Sequence, residues 1–154
     1  MSFRITGLAP EPFSELFDLS DRQLQSRHAV RVVAQADGGY PCRISLCDAA
    51  PGEQLILTHY RHHAVDSPFR ASHAIYVRAG QQRYDRIDAV PEQLRKRLLS
   101  LRAFDDKAML VDADVVDGAA LEPLIDRLLA NRRVAYLHVH FAKPGCYAAR
   151  VDRA

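Results

Sequence analysis

Short runs of alternating apolar and polar residues, closed at brief intervals by Gly and Pro, limit most strongly what this 154-residue chain can fold into. Ala29 to Gln35 carries Val30, Val32 and Val33 and stops at Asp37-Gly38-Gly39. A second strand is expected over Pro41 to Leu46, and Pro51-Gly52 turns the chain into a third over Leu55 to Tyr60. Ala74 to Arg78, a hairpin of Leu99 to Phe104 with Ala108 to Val116, and two last strands, Val134 to Phe141 and Cys146 to Val151, complete the set. Most of these connections are short, and strands so joined pair antiparallel.

Helical signals are fewer. Ser20 followed by Gln23 reads as a capping box that opens a short helix through about Arg27. Pro91 starts a second helix with Leu94 and Leu98 on one face. Leu121, Leu124, Ile125, Leu128 and Leu129 give the clearest amphipathic stripe, with Pro123 in the first turn and Asn131 at the end. The expected fold is α+β: a mainly antiparallel, twisted or curved sheet with two or three helices packed on one side. No repeat or linker divides the chain, so a single domain over residues 1–154 is expected.

Composition narrows the function classes. Hydrophobic residues at 48% and charged residues at 26% suit an ordinary globular core. A net charge of +2 is mild, and the basic clusters Arg95-Lys96-Arg97 and Arg132-Arg133 adjoin helices, where a solvated face accounts for them; no nucleic-acid surface is expected. The first 20 residues are too polar for a signal peptide, and no apolar run has membrane length. Cys42, Cys47 and Cys146 are odd in number and lack CxxC spacing, which points to reduced thiols and a cytoplasmic location.

His138 and His140 stand two apart on an expected strand, so both project from one face while Leu137, Val139 and Phe141 occupy the core side. Such a pair begins many divalent-metal sites but needs a third ligand, for which His59, His62, His63, Asp112 and Asp114 have the right chemistry. Arg43 and Ser45 share the polar parity of the second strand, and Asp112 and Asp114 that of the hairpin. If these strands are neighbours, their polar faces merge with the histidines into a pocket; otherwise the face is the solvent side of a one-sided sheet. The polar segment Arg61 to Ala71 reads as an exposed loop that brings His62 and Arg70. A Pro144-Gly145 turn pairs His140 with Ala149 and turns Cys146 away from His140, against a cysteine–histidine nucleophile. No Gly-rich phosphate loop, G-x-S-x-G elbow or HExxH helix is present.

Four stretches carry a family resemblance: Gly39-Tyr-Pro-Cys-Arg-Ile-Ser-Leu46, Ser67-Pro-Phe-Arg-Ala-Ser72, Leu98-Leu-Ser-Leu-Arg-Ala-Phe104, and Tyr136-Leu-His-Val-His140 with Pro144-Gly-Cys-Tyr-Ala-Ala-Arg150. In these the chain resembles the uncharacterised bacterial family called domain of unknown function 1203. It departs from that pattern at His73-Ala74, where the pattern has Gly-Pro, and at Phe141, where it has Asn. The resemblance implies a small bacterial cytoplasmic protein and carries over no catalytic residue.

Two functional readings follow. One is a small-molecule-binding or small enzyme domain for a polar or anionic ligand, using Arg43, Ser45, His62, Arg70, His138 and His140, with His62, His138 and His140 as candidate holders of a divalent metal. The other is a non-catalytic interaction module that docks a partner or a second copy of itself through an apolar surface. Neither reading involves nucleic acid or a membrane.

Overall fold

The computed structural model describes all of residues 1–154. Nine strands form: β1 (Phe3–Thr6), β2 (Ala29–Val33), β3 (Gln54–His63), β4 (Ala71–Val77), β5 (Asp85–Ile87), β6 (Leu98–Phe104), β7 (Leu110–Asp117), β8 (Tyr136–Phe141) and β9 (Tyr147–Arg153). They divide into a six-stranded sheet ordered β5-β1-β9-β8-β6-β7 and a three-stranded sheet ordered β2-β3-β4. Every named strand pair is antiparallel, so the expected α+β class stands, with its sheet split in two. The helices are α1 (Asp21–Ser26), α2 (Glu92–Arg95) and α3 (Leu121–Ala130), with 3-10 turns at Glu11–Asp18 and Gly118–Ala120. None is long and apolar enough to cross a membrane.

Each sheet has its own core. On the large sheet, Ile5, Leu101, Leu137, Val139 and Val151 meet Leu121, Ile125 and Leu128 of α3 in a cluster of 20 buried residues. On the small sheet, Ile56 and Ile75 pack with Phe13, Leu16 and Leu24 from the Glu11–Asp18 turn and α1. The capping box at the start of α1 forms in both directions: the Gln23 amide donates to Ser20 Oγ, and the Ser20 amide donates to Gln23 Oε1.

Three local expectations are corrected. Pro41 to Leu46 is not a strand; it makes two isolated bridges, Pro41 with Asp48 and Cys42 with Tyr76, and Leu46 takes a left-handed φ of 54°. Its amides are divided between a tight local loop, where Cys42 N donates to Cys47 O, and β4, where Arg43 N donates to Tyr76 O. β3 runs past Tyr60 to His63, because a bulge lets it resume pairing with β4 at His63 opposite Ala71. The Arg61–Ala71 loop is therefore shorter than expected, and His62 and His63 lie on a strand. In the β8–β9 ladder a register shift places His140 opposite Tyr147 rather than Ala149. Cys146 nevertheless stays apart from the histidine cavity, buried in the large sheet's apolar cluster beside Arg43.

Candidate functional site

Alternation on β8 decides where its histidines go. Leu137 and Val139 take the α3 side, so His138 and His140 face the other way, where the end of β3 covers them. They are buried, 4% and 1% exposed, and not on a solvent face. His62 lies with its ring centre 6.1 Å from that of His138 and 5.2 Å from that of His140, and His63 lies 4.8 Å from His138. The sequence-identified histidines of two separate sheets thus meet at the seam between them.

Neighbouring strands complete the cavity. The register places Arg102 of β6 opposite His138, on the same face. Phe69, Arg70 and Ala71 come from the β3–β4 connection, and Phe104 and Leu110 from the hairpin. Together they enclose about 310 Å³. No carboxylate lines this space, and neither Arg102 nor Arg70 is paired with one; Arg70 makes only a 3.4 Å bond to the Val65 carbonyl.

The imidazoles divide by their bonding. His63 is locked: Nδ1 donates to the Phe69 carbonyl at 2.8 Å, and Nε2 hydrogen-bonds the Tyr136 hydroxyl at 2.6 Å. His140 Nδ1 donates to the Gly145 carbonyl at 3.0 Å. His62 and His138, in contrast, each keep a fully buried Nδ1 with no hydrogen-bond partner. A buried unpaired polar atom costs about 1–3 kcal/mol, and such atoms are few in native folds.

Electrostatics keeps this group uncharged. Burial, reinforced by His63, His140, His62 and Arg150, pushes His138 down to about 2. Burial also pushes His140 down to about 3, against the opposing pull of the Gly145 carbonyl and with help from Arg102, His62 and His73. His62 falls to about 4 through burial, then His63, Arg102 and His73. At neutral pH the cavity therefore presents His62, His138 and His140 as neutral imidazoles beside a guanidinium that burial has also made less comfortable.

The other candidates lie elsewhere. Arg43 is only 1% exposed and donates to the Tyr147 carbonyl (2.7 Å), the Pro41 carbonyl (2.6 Å) and Cys146 Sγ (2.9 Å). It ties the Pro41–Leu46 loop to β9 and does not reach the histidine cavity. Ser45 lies on the same loop, its Oγ buried without a partner and outside that cavity. Asp112 and Asp114 are opposite Ala103 and Leu101, on the α3 side of the sheet, where Arg127 of α3 bridges them at 3.1 and 2.9 Å. His59 bonds Ser72 Oγ on the exposed side of the small sheet. No three His, Cys, Asp or Glu side chains are arranged to hold a metal ion. All three cysteines are free, Cys42 and Cys146 buried and Cys47 exposed. Sequence reasoning missed Arg102 and Phe104; their signal was the parity of β6, which places Arg102 across from His138 once the strands are known to pair.

A larger cleft of about 620 Å³ opens beside Arg43 and Cys146. His73, Ala74 and Phe141 line it, so the two departures from the family pattern fall in one place. Phe141 there is covered by the guanidiniums of Arg43 and Arg97, 4.9 and 5.0 Å from its ring centre.

The family described as protein of unknown function (DUF1203) matches residues 39–153. No curated protein and no solved structure matches the chain.

Proposed function

We propose that this chain, which belongs to the DUF1203 family, is a small-molecule-binding domain that takes an anion into the histidine cavity between its two sheets. One observation carries the reading: the guanidinium of Arg102 meets no carboxylate in a cavity lined by His62, His138, His140 and, at its exposed edge, Arg70. A pocket built this way has uncompensated positive charge and idle hydrogen-bonding capacity in a low-dielectric space. An anion supplies the missing counter-charge, and a guanidinium fork matches the two oxygens of a carboxylate or phosphate.

Arg102 makes no other bond, so its removal tests binding without dismantling the fold. Small carboxylates or phosphate are expected to raise the thermal midpoint of the wild-type protein, and Arg102→Gln is expected to abolish the rise while leaving the ligand-free midpoint nearly unchanged. Equal shifts in both proteins would place any anion site elsewhere.

A further inference from the structure

The cavity's lining mixes polar and apolar side chains, and that mixture identifies the ligand more closely than charge does. Resting on the anion reading above, we propose that the ligand is a small carboxylate with an apolar, preferably aromatic, body. His62, His138 and Arg102 supply the polar part of the lining, and Phe69, Phe104 and Leu110 the apolar part. Phe69 and Phe104 stand 6.2 Å apart at 66°, an edge-to-face pair, and Phe104 also stacks on Tyr136 at 5.5 Å. Phe104 is nearly fully buried, Phe69 is half-buried and Leu110 is exposed, so the apolar part of the lining is fixed at its base and accessible at its rim.

A fully hydrated oxyanion gains nothing from such apolar surface and loses water against it. Phosphate also asks for many N–H donors, while each neutral imidazole offers one. A monocarboxylate needs only a guanidinium and one or two imidazole N–H groups, and a ring attached to it buries its carbon surface on Phe69 and Phe104. The volume of about 310 Å³ lies at the small end of ligand pockets and excludes nucleotide-sized anions.

Isothermal titration calorimetry on the full chain separates the alternatives, with benzoate, acetate, inorganic phosphate and benzyl alcohol as probes. Benzoate is expected to bind at least about tenfold more tightly than acetate, phosphate or the uncharged benzyl alcohol. Phe69→Ala, at a half-buried loop position, is expected to weaken benzoate by about five- to tenfold and leave acetate unchanged. Phosphate or acetate binding as tightly as benzoate overturns the apolar-body proposal and leaves the anion reading intact. Benzyl alcohol binding as tightly as benzoate overturns the carboxylate. A folded protein that binds none of the anions overturns both.

Discussion

His138 carries a polar ring into a place where both faces of its strand are buried, and the consequence is a dependence of stability on acid. In the unfolded chain an imidazole takes up a proton near 6.5, whereas in the fold His138 and His140 hold out to about 2 and about 3. Below 6.5 the unfolded state therefore binds more protons, so stability is highest above that value and is lost as pH falls toward the folded values. The groups facing His138 are His62 and His63 from β3, Arg102 from β6, and Tyr147 and Arg150 from β9; none supplies a negative charge to offset the loss. Each of the two histidines contributes up to about 1.4 kcal/mol per pH unit in this window. Urea unfolding measured from about pH 7 to about pH 5 is expected to show falling stability, with a shallower slope for His138→Gln. An identical slope in the variant would mean that His138 titrates as an ordinary surface histidine. The pairing of His138 with His140 was legible because alternation alone sets it. The placement of Asp112 and Asp114 was not, since it depends on a hairpin register containing a bulge at Ala103 and Phe104. Arg43 was misread because its partners are carbonyls and a sulfur, which leave no charge signature in the sequence.

Among the elements, α3 follows its sequence most closely: Leu121, Ile125 and Leu128 are at most 1% exposed. Ile125→Ala is expected to cost about 2–4 kcal/mol in chemical unfolding, and a loss below about 0.5 kcal/mol would mean that this face is not core. The turn before α3 is tighter than its sequence suggests, for a Cβ on Gly118 would sit 1.8 Å from the Leu94 carbonyl oxygen of α2. Gly118→Ala is expected to destabilise by about 1–3 kcal/mol as α2 and the Gly118–Ala120 turn are forced apart; an unchanged midpoint would show that this contact gives freely. β7 shows how a sheet edge is closed without a partner, since Asp112 and Asp114 accept from the amides of Ala113 and Val115 along the exposed strand. β1 and β5 escaped sequence reading because they are four and three residues long and carry Arg4 and Arg86, too short for a period to register. The end of β3 was mistaken for loop because Arg61, His62 and His63 are polar, and nothing local shows that the large sheet covers the two histidines.

At the scale of the molecule, two sheets with separate cores share a seam, and the proposed site occupies it. Tyr147 stacks on His62 at 5.2 Å, His63 bonds Tyr136, and Ser67 Oγ donates to the Ala108 carbonyl, so the contacts that join the sheets also shape the cavity. The exposed apolar side chains do not favour the interaction-module reading: Val30 and Val33 lie on β2, Leu98, Leu110 and Val115 on the hairpin of the other sheet. The most direct test of the account is nuclear magnetic resonance of the imidazole nitrogens at neutral pH, with and without benzoate. Neutral signals for His62, His138 and His140 in the free protein, with those of His62 and His138 shifting as benzoate is added, are predicted. Histidines already charged in the free protein, or a benzoate response confined to residues outside the cavity, would contradict it.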